Sequence, residues 1–123
     1  KYKWAWGNIY DPQKGNTRIG GPGDTTPIGQ YSNEGGDSPY GVSDMSGNTF
    51  DWTLDWWSEN YYSESPSNNP KGPESGVYKV SRGGSWAGSS EGACTVSRYY
   101  AMRPEVKNEY IGFRLARNYD KME

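Results

Sequence analysis

Tyr40-Gly-Val-Ser-Asp44-Met-Ser-Gly47-Asn-Thr49-Phe-Asp51-Trp-Thr-Leu-Asp-Trp-Trp57 is the stretch around which the chain is read. It has two parts. Asp44 to Asp51 is a short loop with a carboxylate at each end and a Gly47-Asn48 pair between them. Gly and Asn tolerate positive φ, so the backbone can curl there and turn carbonyls inward. From Phe50 the pattern becomes strict alternation. Phe50, Trp52, Leu54 and Trp56 fall on one side, and Asp51, Thr53 and Asp55 on the other. A period of two with large apolar residues on one face predicts a half-buried strand. Asp51, its first outward residue, then points back toward Asp44.

Two carboxylates and several inward carbonyls in one curl suit a hard cation. Calcium takes six to eight oxygen ligands and accepts irregular geometry. Asp44 and Asp51 are the candidate carboxylate ligands, with the carbonyls of Gly47 and Thr49 completing the set. The EF-hand spacing is absent. An Asx-turn, with Asp44 bonded to nearby backbone and Asp51 solvated, accounts for the same residues without metal.

At 123 residues the chain has room for one domain. Only 32% of it is hydrophobic and its mean hydropathy is −1.06, values close to those of disordered chains. Six Trp and eleven Tyr reverse that reading, because each ring can bury a large area. The expected core is small and built from rings. Seventeen Gly and eight Pro predict a loop-rich chain with little helix. The net charge of −2 and the lack of a basic run argue against nucleic acid as a partner. No apolar segment is long enough to span a bilayer.

One Cys and no His remove zinc centres, Ser-His-Asp triads, Cys-His dyads and His-ligated iron as these are usually built. An intramolecular disulfide is impossible with Cys94 alone.

The opening residues, Lys1-Tyr-Lys-Trp4-Ala-Trp6, start abruptly on rings, so a complementary N-terminal segment or a neighbouring chain is an expected partner. Residues 11–39 carry loop chemistry, expected to be pinned by Ile28 and Tyr31, and 58–76 form a second loop. Val77 to Val80 predicts a strand leading into Ser81-Arg-Gly-Gly-Ser-Trp86. Cys94, Val96 and Arg98 alternate with polar neighbours, as do Ile111, Phe113 and Leu115. These runs predict short strands of a small antiparallel sheet. One helical turn is expected near Pro104 to Asn108.

Five motifs in order then carry a resemblance: Trp-Ala-Trp-Gly-Asn at 4–8, Asp-Thr-Thr-Pro-Ile-Gly at 24–29, Pro-Tyr-Gly-Val-Ser-Asp-Met-Ser-Gly-Asn-Thr-Phe-Asp-Trp at 39–52, Ser-Arg-Gly-Gly-Ser-Trp at 81–86 and Ile-Gly-Phe-Arg-Leu at 111–115. The set resembles the C-terminal part of a formylglycine-generating-enzyme-like, or sulfatase-modifying-factor, domain. The resemblance implies a loop-rich α+β fold, a C-type-lectin-like variant, occupying residues 1–123 as one domain that lacks the family's N-terminal half. It also implies calcium at the positions matching Asp44, Gly47, Thr49 and Asp51, with Asp51 where the family commonly has Glu. A second family calcium site would begin near Asn16 and Thr17, but its later positions are not recognisable between Arg18 and Asp24.

Catalysis is where the sequence departs from the family. Members that oxidise a sulfatase cysteine use two copper-binding cysteines after the Arg-Gly-Gly-Ser motif. Those positions fall at Gly88 and at or beside Ala93, leaving Cys94 alone. One thiolate cannot make the two-sulfur site that soft copper(I) prefers. Cys94, on the apolar side of a predicted strand, reads as an inert core residue.

The expectation is therefore a non-catalytic binding module whose protein or glycan ligand meets the segment between the last two motifs. Trp86, Ser89, Ser90, Glu91, Tyr99, Tyr100, Met102 and Tyr110 lie there, a mixture of rigid rings and small hydroxyls typical of paratopes. Packing of Trp86 and some of the tyrosines in the core is the competing use of those rings. A copper-dependent enzyme and a structural assembly domain are the other readings. So is a receptor diversified by a retroelement, a class that shares this scaffold. Diversification at Asn-type codons cannot yield Glu91, Met102, Glu105, Lys107 or Glu109, which weighs against the last. Arg82, Arg98 and Arg114 read as structural and need buried acceptors, for which Asp55 and Glu91 are candidates.

Overall fold

A computed structural model describes residues 1–88, 91–97 and 99–116. Its centre is a four-stranded sheet in the order β3-β2-β1-β4. The strands are β1 (Phe50–Trp56), β2 (Lys79–Arg82), β3 (Tyr99–Met102) and β4 (Ile111–Gly112). β1 and β2 are antiparallel, with Asp51 opposite Arg82 and Trp52 opposite Ser81. β2 and β3 are antiparallel, with Arg82 opposite Tyr99. β4 runs parallel to β1, pairing Phe50 with Ile111 and Asp51 with Gly112. The sheet is therefore mixed, not antiparallel throughout. A parallel neighbour needs a crossover, and the chain from β1 through β2 and β3 to β4 provides it.

β1 occupies the predicted span, but its alternation does not survive intact. The register slips between Trp52 and Trp56, and Leu54 is 92% exposed. An irregularity of this kind re-aims side chains beyond it. β2 begins two residues later than expected, and Gly83 and Gly84 end it at positive φ.

The strand predicted over 94–99 is absent among the described residues except at its last residue, Tyr99, which opens β3. Glu91–Cys94 is a 3-10 turn instead, and Arg98 lies outside the described residues. The strand expected through Leu115 stops at Gly112, leaving Phe113 and Leu115 exposed. β3 was not anticipated: Tyr99-Tyr-Ala-Met102 has no polar alternation. Residues 103–108 form a turn closed by Val106 N–H to Arg103 O at 3.1 Å, not a helical turn. The α-helix described is α1 (Tyr61–Glu64), and Pro66 follows it closely enough to block extension. No helix among the described residues is long and apolar enough to cross a membrane.

The core differs from the ring-built one expected. Among the described residues, Trp4, Ala5, Val80 and Cys94 are its buried apolar members. Asn16, Thr17, Ser46, Asn48, Ser81 and Ser85 are buried beside them. The other five tryptophans are half-buried, so rings form a shell around a polar centre. Ile28 is exposed and pins nothing. The 11–39 loop is held by side-chain amides: Asn16 donates to Asp24 O at 2.9 Å and to Asn48 Oδ1 at 3.0 Å. Asn48 also accepts from Thr26 N–H at 3.0 Å and donates to Thr26 O at 3.2 Å. Paired this way, buried amides cost little.

Candidate functional site

The Asp44–Asp51 loop is where three remote segments meet. Gly47 N–H donates to Gly83 O at 2.7 Å, and Asn48 N–H to Asn16 O at 2.8 Å. Asn48 O accepts Trp86 N–H at 2.9 Å, and Phe50 N–H donates to Tyr110 O at 2.7 Å. This curl requires positive φ at Asp44, Gly47 and Asn48 (56°, 101° and 65°), residue types that tolerate it. Gly47 admits no side chain, because a Cβ there would lie 2.5 Å from Asn16 O.

Asp44 Oδ2 accepts Gly29 N–H at 2.8 Å. Asp51 Oδ2 accepts Nε–H of Arg114 in a close ion pair. The rest of that guanidinium clasps the loop's entrance, donating to Ser43 O at 2.7 Å and Asp44 O at 2.8 Å. Burial pushes the Asp51 carboxyl above its ordinary value. Arg114 opposes the shift, and the neighbouring Asp44 charge adds to it. Two carboxylates close enough to repel, set against one guanidinium, leave the curl with a net negative charge. Asp44 Oδ1 and Asp51 Oδ1 accept no hydrogen bond among the described residues. The Met45 and Thr49 carbonyl oxygens lie 3.4 and 3.8 Å from where a Gly83 side chain would begin. All-oxygen donors with residual negative charge fit a hard divalent cation chemically. The residues that would hold it are Asp44, Gly47, Thr49 and Asp51.

The proposed ligand residues fall into separate groups. Trp86 and Tyr110 pack together, with ring centroids 5.1 Å apart, and Trp86 Nε1 is buried without a hydrogen-bond partner among the described residues. The Tyr110 hydroxyl is held above its ordinary value by its hydrogen bond with Glu109 and that residue's charge. Tyr99 and Tyr100, 40% and 38% exposed, line an open groove of about 640 Å³ with Gly92, Thr95, Ser97 and Ala101. Tyr100 stands edge-on to Phe50 at 4.8 Å. Met102 sits at the other end of β3, opposite Lys79. Ser89, Ser90 and the Glu91 side chain lie outside the described part of the chain.

The model of the sulfatase-modifying factor enzyme 1-like domain matches residues 1–119. The chain belongs to this family. It is 34% identical to the formylglycine-generating enzyme of Streptomyces coelicolor, with 85% of the chain aligned to 33% of that protein. A serine/threonine-protein kinase, pkn1 of Chlamydia caviae, is 38% identical across 76% of the chain and 15% of its own length. Among solved structures, Treponema denticola variable protein 1 superposes with a TM-score of 0.75 at 26% identity, over 92% of this chain and 40% of that one. The chain thus spans less than half the length of these relatives. The family's loop-rich α+β fold, with little helix and a small curled sheet, is the fold observed.

Within this sulfatase-modifying-factor-like frame, Cys94 is fully buried. Its thiol lies 3.6 Å from Ser85 O, and burial pushes its pKa up to about 11. The thiolate, the form that attacks and binds soft metals, is thus suppressed at neutral pH.

Two features escaped the sequence. The Arg114 clasp joins residues 63 apart, a pairing no local pattern shows. Asn16 is 1% exposed, yet its Oδ1 has no partner among the described residues. The resemblance marked the position of Asn16, but its burial and its bonds to Asp24 and Asn48 were not visible in the sequence.

Proposed function

We propose that this chain is a non-catalytic, calcium-stabilised, lectin-like binding module that engages a protein or glycan through its 86–110 surface. The observation that carries the reading is the groove along the outer strand β3. There Tyr99 and Tyr100 offer ring area beside the small groups of Gly92, Thr95, Ser97 and Ala101. Rigid rings next to adaptable hydroxyls bind at low entropic cost. Likeness to a protein named a variable protein, and to a segment of a kinase, supports a scaffold reused outside formylglycine formation.

The lone, buried Cys94 supports the non-catalytic half of the proposal, since the family's copper chemistry uses two cysteines. Calcium would be held by Asp44, Gly47, Thr49 and Asp51, where it would neutralise the curl and fix the three segments that meet it. The complementary N-terminal part of the family domain, in the same chain or another, is the remaining partner in this reading.

Protein and glycan arrays probed with the wild-type chain and with Tyr99→Ala and Tyr100→Ala test it. Binding that falls by about tenfold or more in both variants supports the groove. Full affinity in both removes it. Stoichiometric copper bound through Cys94 would restore the enzymatic reading.

A further inference from the structure

A second concavity lies where β1 runs into the following loop. Its volume is about 230 Å³, and it is bounded by Asp55, Trp57, Glu59, Tyr62, Arg82 and Tyr99, with buried Val80 also in its wall. The ring walls are tied in place. Trp57 Nε1–H donates to Tyr99 Oη at 3.4 Å, and Arg82 donates to Tyr62 Oη at 3.1 Å and Ser97 O at 3.2 Å. Trp57 also stands edge-on to Tyr78 at 6.3 Å, and Gly72 N–H donates to Tyr61 Oη at 2.9 Å. Side chains locked this way lose little entropy when a ligand arrives.

The polar groups in the cleft are, by contrast, under-used. Neither the Asp55 nor the Glu59 carboxylate forms an ion pair or accepts a hydrogen bond among the described residues. A guanidinium has five N–H donors, and Arg82 makes two described hydrogen bonds. The cleft therefore offers carboxylate acceptors, guanidinium donors and aromatic surface together.

Charge selects among ligands. Arg82 lies over Tyr99 at 5.9 Å and Lys79 over Trp56 at 4.1 Å, so the chain's own cations already occupy ring faces here. Arg82 is the one cation in the lining and offsets one of its two carboxylates, while Lys79 lies outside the lining. With the Tyr99 and Trp56 rings already engaged by the chain's own cations, a neutral occupant is favoured over a further cation. Drug-sized ligands fill about 300–1,000 Å³, and this smaller space suits a single ring. A pyranose meets all of these conditions. Its C–H face can stack on an aromatic wall, and its hydroxyls can donate to the carboxylates and accept from Arg82.

We infer that the cleft between the β1–α1 turn and the Arg82–Tyr99 pair is a subsite for one neutral pyranose unit of a glycan. The inference rests on the binding-module reading and names its ligand class. No residue of the Asp44–Asp51 curl lines the cleft, so sugar capture here does not use the proposed calcium.

Titration of the wild-type chain with methyl glycosides of neutral hexoses and N-acetylhexosamines, read by tryptophan fluorescence and saturation-transfer NMR, tests it. Tetramethylammonium and arginine amide serve as cationic competitors. At least one neutral pyranoside should bind saturably, with contacts from its C–H face, and binding should persist with chelator well below the melting temperature. Asp55→Asn combined with Glu59→Gln, and separately Trp57→Ala, should weaken it about tenfold or more. Trp57→Phe, which keeps a ring, should retain more affinity than Trp57→Ala. Tyr100→Ala should leave pyranoside binding intact while weakening array binding at the β3 groove about tenfold or more, which separates the two readings. Absence of saturable binding, full affinity in the carboxylate variants, or preference for the cations overturns the subsite.

Discussion

Cys94 shows how far a single side chain's surroundings decide its chemistry. Its folded pKa of about 11 stands above the ordinary thiol value of 9.0. The native thiol therefore holds its proton after the unfolded one has lost it. The sign follows: stability is intact below about pH 9 and declines as pH rises toward 11, by about 1.4 kcal/mol per pH unit at most. Urea unfolding at pH 8 through 11 should show this loss in the wild type and a smaller one in Cys94→Ala, with tyrosine ionisation common to both. Alkylation of the native thiol at pH 8 should be slow and should accelerate on unfolding. Fast native alkylation would mean an exposed, reactive sulfur. Gly47 makes a second case. Gly41 and Gly47 both have positive φ, but a Cβ at Gly41 meets nothing within 4 Å, whereas one at Gly47 meets Asn16 O. Gly41→Ala should cost about 1–2 kcal/mol from backbone strain alone. Gly47→Ala should cost about 3 kcal/mol or more, because it also pushes apart the loops joined at Asn16. Equal losses in urea denaturation would show that the curl is looser than its contacts imply.

At the scale of elements, Arg114 explains why β4 is so short. Ile111-Gly-Phe-Arg-Leu115 alternates like a strand, but the chain leaves the sheet after Gly112. From there Arg114 reaches Asp51 and the Ser43 and Asp44 carbonyls, a tertiary contact that overrides local periodicity. Arg114→Gln should destabilise the domain by about 2 kcal/mol, allowing for charge-assisted hydrogen bonds and for solvent screening of a partly exposed pair. Arg114→Lys should recover little of this, since an ammonium cannot span three acceptors in a planar fork. A double-mutant cycle with Asp51→Asn should return a coupling energy near 1 kcal/mol; strict additivity would show that the pair contributes nothing. The same element shows what could be read in advance. β1 was legible because Phe50, Trp52, Leu54 and Trp56 alternate with Asp51, Thr53 and Asp55. β2 was legible because Gly83 and Gly84 punctuate its end. β3 was not, because its side chains are exposed or half-buried on both faces and no alternation results. The turn ending at Cys94 resembled a strand because Cys and Val alternate with polar neighbours, although the thiol packs under the Ser85 carbonyl. The acidic ends of the curl were visible as candidate metal ligands, but the guanidinium that opposes them was not.

The molecule as a whole is centred on hydrogen-bonded loops, and this determines what holds it together. The buried positions Asn16, Thr17, Ser46, Asn48, Ser81 and Ser85 contribute few apolar atoms, so burial of hydrocarbon supplies less than in an aliphatic core of this size. Specific polar contacts must keep the 11–39 loop, the Asp44–Asp51 curl and the Gly83–Trp86 turn in register. A cation bound among Asp44, Gly47, Thr49 and Asp51 would act where these segments converge and where like charges otherwise face each other. Binding to the native state alone, at a concentration one hundred times the dissociation constant, stabilises by about 2.7 kcal/mol. For a domain of this length that corresponds to roughly 10 °C in Tm. Chelation should therefore lower Tm by about that amount, and added calcium should restore it where equimolar magnesium does not, because magnesium demands a regular octahedron and sheds water reluctantly. Asp44→Asn should shrink the calcium-dependent part of the shift, whereas Asp55→Asn, outside the curl, should leave it whole. A melting temperature that is the same in calcium and in chelator, with no calcium found by metal analysis of the native protein, would mean that Arg114 alone compensates the two carboxylates.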